Sequence, residues 1–531
     1  MSIRAALAEQ TVKTKGRTDA DIRRLAAECE LRLASLESKI AELKLAVAPV
    51  EEDRPNDFKF RSVVESKATL GSSSLLQQRD RERITAAVLR HLVSPIRSLP
   101  VELLAEIFSL TIDKEADDFR NSHYTRHFRY AYRVSHVCSE WQQIALSTPQ
   151  LWTGPVKVMV KEPVAFPVAQ DARWTVSGTG PDADGLMIRA WLAHSDPLPV
   201  PVRLEGENLR EGILAGPRNA FHPLLKELLR VAPRWGLLFL DGSLPPMFYQ
   251  RLADCRLDSL EEAILAPNYF DDNRNTLFFV GNSPRLRKLN VVAHPSLHMP
   301  WAQLTELELG YGPASVSLDI LAQCTSLVTL TLDGNDRLGD AGTGVTLPSL
   351  RVFNFTFRFE REARLSQLNL LSAPMLETCS ISFKFADGPW TQSAFTAFLL
   401  RSPNITHLRL LWCPLTSNDL TTTLARVPSL THLDLDCCYL LDNTFLLALH
   451  SHADNMTPPL VPLLHDFHFY YSASEVLTET HIVSMLTSRW SGGSATARWS
   501  RVALSHLSPF HTKDFTDGIT ELEHQGIPVE Y

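Results

Sequence analysis

The sequence predicts an α/β chain: a long solenoid of strand–helix repeats, preceded by a small all-α unit and by N-terminal helices. Two observations predict it. Over 161–531 an apolar residue, two variable ones and then apolar–x–apolar recur at nearly even spacing, whereas upstream the apolar residues keep helical spacing. Length agrees, because 531 residues exceed one compact core and fit a solenoid with attachments.

Residues 1–50 are read as an N-terminal helix region. Within 18–47, Leu33, Leu36, Ile40, Leu43 and Val47 follow heptad spacing, and Ile22, Leu25 and Cys29 extend the stripe with one skip. Such a stripe serves either a short coiled coil, with weak self-association through 18–47, or packing on its own chain. Pro49 ends the helix. Residues 51–94 then read as a polar connector and a helix starting near Ser74, with Ile84, Val88, Leu89 and Leu92 as apolar contacts.

Residues 95–160 form the small helical unit. Leu104, Ile107, Phe108 and Ile112 fall on one helical face, and a polar insert follows at 113–130. Val134, Val137, Cys138, Trp141, Ile144 and Ala145 then take helical spacing on a second helix, closed by Pro149, Leu151 and Trp152.

At these residues the chain resembles the F-box family. Leu99-Pro100-Val101-Glu102-Leu103-Leu104 with Ile107-Phe108 looks like the F-box opening, and Arg133-Val134 with Val137-Cys138 and Trp141 looks like its second half. The insert is longer than the family's usual linker. The resemblance implies docking on the Skp adaptor of a Skp–cullin–F-box ubiquitin ligase and, through it, on a cullin. The residues it implies for that contact are Leu99, Pro100, Leu103, Leu104, Ile107, Phe108, Val134, Val137, Cys138, Trp141 and Ile144. Physical reasoning points the same way, since a unit of roughly 50 residues can scarcely bury this many apolar side chains by itself. Leu104, Val137 and Trp141 read equally well as internal core. Leu99, Pro100, Leu103, Ile107 and Phe108 are the better candidates for contact.

The repeats follow in 161–531. The pattern appears as Leu260/Ala263/Leu265, Leu286/Leu289/Val291, Leu304/Leu307/Leu309, Leu327/Leu330/Leu332 and Leu350/Phe353/Phe355. It continues as Leu376/Cys379/Ile381, Ile405/Leu408/Leu410, Leu430/Leu433/Leu435 and Leu464/Phe467/Phe469. Trp235/Leu238/Leu240 and Trp499/Val502/Leu504 are weaker copies. The spacing matches the leucine-rich-repeat period of roughly 20–29 residues. Helical pieces between the strands end near prolines, and stacking of units supplies the core. The patterned residues point inward, so their neighbours face the concave side. Candidate target-binding residues on that face are Glu306, Glu308, Asp333, Arg358, His407, Arg409, His432, Asp434 and Asp436. A protein target of unknown identity suits this mixed polar row better than an apolar cofactor does.

Composition narrows the function classes. A formal net charge of −8 argues against nucleic acid as partner, and no stretch approaches the roughly 20 apolar residues that span a bilayer. The N-terminus lacks a secretory apolar run, and the 8 scattered cysteines without a CxxC pair fit a reduced compartment, hence cytoplasm or nucleus. No phosphate-binding glycine loop, zinc-protease helix motif or nucleophile elbow occurs. His123 and His127 share helical spacing but lack a third ligand. The expectation is an adaptor and not an enzyme, with no catalytic residues, metal or cofactor. The alternative is a repeat scaffold not coupled to degradation.

Overall fold

The computed structural model describes residues 3–47, 58–111, 125–161, 175–178, 185–206, 223–241, 244, 246–265, 277–278, 282–292, 297–310, 314–334, 344–357, 365–383, 389–450, 459–471, 477–492, 496–506 and 513–531. They form two compact units, 1–111 with 134–145, and 112–133 with 146–531.

The first unit is helical. Its helices are α1 (Ile3–Lys13), α2 (Asp19–Val47), α3 (Phe58–Leu92) and α4 (Val101–Leu110), and it takes in the end of α5 (Thr125–Ser135) and most of α6 (Ser139–Leu146). On α2 the expected stripe is buried at Ile22, Cys29, Leu36 and Ile40 and half-buried at Leu25 and Leu33, with Ala26 buried beside it. Ile22, Ala26 and Cys29 pack on Ala86 and Leu89 of α3 in one cluster. The N-terminal end of the stripe thus packs within its own chain, and the side chains of Leu43 and Val47 lie outside the described residues. Helix α3 also starts at Phe58, well before Ser74, so much of the expected connector is helical. The second half of the small unit is not one helix: α5 ends at Ser135 and α6 begins at Ser139. His123 lies outside the described residues, as does the side chain of His127.

Helix α4 shows why the apolar run was ambiguous. Pro100 sits at its N-cap, and the Leu104 N–H donates to the Pro100 carbonyl at 3.1 Å. Leu104 and Phe108, four apart, are buried, and Phe108 packs on Trp141 with ring centroids 4.7 Å apart. Leu103, Ile107 and Leu110 lie on a different face and stay exposed.

The second unit is built on one fifteen-stranded sheet. Its strands are β1 (Val156–Lys161), β2 (Thr175–Gly178), β3 (Val200–Gly206), β4 (Trp235–Asp241), β5 (Glu262–Leu265), β7 (Lys288–Val292), β9 (Glu306–Gly310) and β10 (Thr329–Gly334). Then come β12 (Val352–Phe357), β14 (Thr378–Ser382), β15 (His407–Leu411), β16 (His432–Asp436), β17 (Asp466–Tyr471), β18 (Arg501–His506) and β19 (Val529–Glu530). Two separate parallel pairs join β6 (Leu277–Phe278) to β8 (Leu297–His298) and β11 (Val345–Thr346) to β13 (Leu371–Ser372). From β1 to β19 every pairing in the main sheet is parallel, and only β2 runs antiparallel, at the edge. The helices between strands are α7 (Gly185–His194), α8 (Pro223–Arg230), α9 (Pro246–Ala253), α10 (Ala314–Gln323), α11 (Gln392–Leu400), α12 (Ser417–Leu424), α13 (Asn443–Leu449), α14 (Glu479–Ser491) and α15 (Lys513–His524).

This is the leucine-rich-repeat-like solenoid that the period predicts. Every patterned residue from Trp235 to Leu504 named above is buried. Phe353, Phe355 and Phe357 are core, the first two rings stacked and the last two edge-on. Local chemistry sets the helix starts. Thr416 caps α12 in a reciprocal box with Asp419, and the Asp442 carboxylate caps α13 by accepting from the Thr444 N–H at 2.9 Å.

Three arginines tie repeats together through main-chain carbonyls. Arg234 donates to the Leu192 and Leu198 carbonyls, and Arg401 to those of Leu368 and Leu371. Arg489, on α14 and 1% exposed, donates to Leu449, Leu460 and Val461 at 3.2, 3.0 and 2.9 Å.

Candidate functional sites

On the helical unit, the residues expected to meet a partner divide by burial. Pro100, Leu103, Ile107 and Val137 are exposed, Leu99, Val134, Cys138 and Trp141 are half-buried, and Leu104, Phe108 and Ile144 are core. Val101 and Leu110, at 54% and 75% exposure, add apolar surface to α4. The closing turn Pro149–Trp152 belongs to the second unit, where Trp152 packs edge-on against Trp191 of α7.

On the solenoid, parallel pairing without register shift from β5 to β18 converts sequence positions into rungs across the sheet. One rung runs Glu262, Lys288, Glu306, Thr329, Val352, Thr378, His407, His432, Asp466 and Arg501. The next runs Asn290, Glu308, Thr331, Asn354, Ser380, Arg409, Asp434, His468 and Ala503. The candidate residues thus fall into two groups. Glu306 and Glu308 line a shallow recess with Lys288, whose ammonium bonds Glu306 at 2.9 Å. His407, Arg409, His432 and Asp434 line a second recess of about 340 Å³ with Asp466, His468 and Arg501. Asp333 and Asp436 share a third rung but are separated by β12, β14 and β15. Arg358 lies outside the described residues.

The second recess is rich in histidine. The rings of His407 and His432 stack with centroids 3.9 Å apart at 13°. Each ring has its Nδ1 at 2.8 Å from a preceding hydroxyl, Thr406 or Thr431. Burial, and then the neighbouring His432, hold the His407 pKa below its ordinary value. Asp434 accepts from Arg409 Nε at 2.7 Å and pairs with His468 Nδ1 at 2.8 Å. The hydrogen bond to Asp434 raises the His468 pKa, with burial opposing and Asp436 adding to the rise.

A raised histidine pKa stabilises the fold fully below the unfolded value of roughly 6.5, and the contribution fades as pH climbs through the folded value. His468→Gln is therefore expected to lower the urea midpoint more at about pH 5.5 than at about pH 8.5. An equal loss at both pH values would show that the pair does not titrate.

Among the described residues no group of three or more His, Cys, Asp and Glu side chains could hold a metal ion. All eight cysteines are free thiols. No helix among the described residues is long and apolar enough to cross a membrane. Trp412 and Arg501 border the candidate face and were not singled out from the sequence. The only signal for Trp412 is an aromatic residue standing between an outward leucine and an inward cysteine.

Residues 96–157 match the F-box-like family model. No curated protein matches the chain. Among solved structures, the yeast Rad7–Elc1 complex gives 12% identity over 87% of this chain and 97% of that one, at a TM-score of 0.28. A Bacteroides fragilis protein gives 11% identity, 68% and 86% coverage and a TM-score of 0.27. A leucine-rich-repeat protein of Leptospira interrogans gives 13% identity, 64% and 92% coverage and a TM-score of 0.22. Superpositions this loose bear on neither fold nor function. The family match falls on the helices whose burial was described above, and the parallel sheet begins where it ends. The chain carries an F-box-like domain at residues 96–157, followed by a leucine-rich-repeat-like solenoid.

Proposed function

We propose that this protein selects targets for a Skp–cullin–F-box ubiquitin ligase in the cytoplasm or nucleus. Residues 95–160 dock a Skp-type adaptor, and the sheet face of 161–531 holds a protein target. The observation that carries this reading is the F-box-like domain with Leu103, Ile107 and Leu110 exposed on one helical face. An apolar stripe held open to water on a folded helix is a docking surface. The chain itself makes and breaks no bond. It raises the effective concentration of a target lysine near the ubiquitin-charged enzyme. Against the scaffold alternative, which rests on self-association through 18–47, Ile22 and Cys29 at the N-terminal end of the α2 stripe pack on α3.

Co-purification of the full chain with a Skp-type adaptor tests the proposal. A stable complex at micromolar concentration is expected, weakened by Leu99→Ala combined with Pro100→Ala. Absence of the complex, or indifference to the double substitution, would overturn it.

A further inference from the structure

Two adjacent repeats end their strands in the same way. After β15 and β16 a cysteine turns inward, Cys413 and Cys438, and both are buried. Their thiols donate to the Ile381 and Leu410 carbonyls, each at 3.5 Å. To bring the cysteine inside, the residue before it takes a left-handed backbone, with φ +55° at Trp412 and +53° at Cys437. That residue therefore stays outside, beside the last outward residue of its strand. In the β15 repeat it is a tryptophan, 46% exposed.

Trp412 stands next to an acid. Its main-chain N–H donates to the main-chain carbonyl of Asp436 at 2.7 Å, which fixes its backbone beside the end of β16. Asp436 faces outward, with Leu411 and Tyr470 as its neighbours on the rung. Its situation differs from that of Asp434, which already has Arg409 and His468 as partners. Among the described residues no lysine, arginine or histidine lies within ion-pair distance of Asp436. Burial, and then the bond to Asp436, hold the Cys437 thiol up at about 12.

We propose that Trp412 and Asp436 seat an arginine side chain of the target protein, the carboxylate accepting from the guanidinium and the indole stacking on its plane. This rests on the reading that the sheet face holds a target. Arginine suits the pair better than lysine, because its flat, weakly hydrated cation both forks onto a carboxylate and stacks on an aromatic face.

Fluorescence anisotropy with labelled oligoarginine, at low salt and on the full chain, tests this. Trp412→Ala and Asp436→Asn are each expected to weaken binding about tenfold, and Trp412→Phe to keep most of it. Glu262→Gln removes the same charge from the same sheet at β5 and is expected to change binding less than about twofold. Oligocitrulline, neutral and nearly isosteric, is expected not to bind. Equal losses for Asp436→Asn and Glu262→Gln, or full binding by Trp412→Ala, would overturn the proposal. Capture of a Skp-type adaptor by the same variants reads folding and the ligase role separately. Failure of the arginine seat alone leaves that capture intact, whereas failure of the ligase role removes it from the unaltered chain too.

Discussion

Replacing Leu103 and Ile107 together by glutamate is expected to abolish capture of a Skp-type adaptor while leaving the fold intact. Leu103 and Ile107 are 52% and 39% exposed and one helical turn apart on α4. Glutamate is a good helix former, and exposed substitutions away from caps and core change stability by about 0.5 kcal/mol or less. In a complex the same two side chains would be buried, each contributing about 1.5–3 kcal/mol, so their loss predicts a drop in affinity of about 100-fold or more. Leu104→Ala provides the contrast. Leu104 is 2% exposed, so its truncation costs about 2–5 kcal/mol of stability. Adaptor titration alongside thermal melting separates the two cases. Unchanged affinity in the double glutamate variant would remove α4 from the docking surface.

Arg489→Ala is expected to be the most damaging single truncation among the polar residues of the solenoid. The guanidinium is buried with three carbonyl acceptors, stands 5.4 Å from the Trp499 ring, and has no carboxylate partner among the described residues. Burial pushes its pKa down to about 10, so it stays charged at neutral pH. Removing it takes the guanidinium donor from the Leu449, Leu460 and Val461 carbonyls, of which Val461 keeps the Leu464 N–H, at a cost of about 3 kcal/mol. Arg489→Lys keeps the charge but not the fork and should recover part of the loss. Urea denaturation measures both, and a loss under about 1 kcal/mol would show that water replaces the guanidinium.

The repeats were legible because strand alternation is a local rule. Once Leu408 and Leu410 face inward, His407 and Arg409 must face out, and β15 has that pattern. The small unit was less legible. Leu104, Ile107 and Phe108 share helical spacing, yet Ile107 stays outside because the face is divided between core and surface, a division that periodicity alone does not reveal. The expected second helix breaks at 136–138, where the apolar spacing carries straight on. The edge strand β2 pairs antiparallel with β1, and neither strand bears the repeat pattern, although Val156, Val158 and Val160 of β1 alternate as a strand does. Within the candidate site, the outward row could be read from alternation. The pairing of Asp434 with Arg409 and His468 depends on register between distant segments.

The Arg489 contacts bear on how this protein can be altered. One guanidinium holds both the Leu449 and the Leu460 carbonyls, which are the two ends of the stretch 450–459. The guanidinium thus joins the two sides of that stretch from a helix outside it. Losing that one side chain would therefore uncouple the end of α13 from the approach to β17 in a single event.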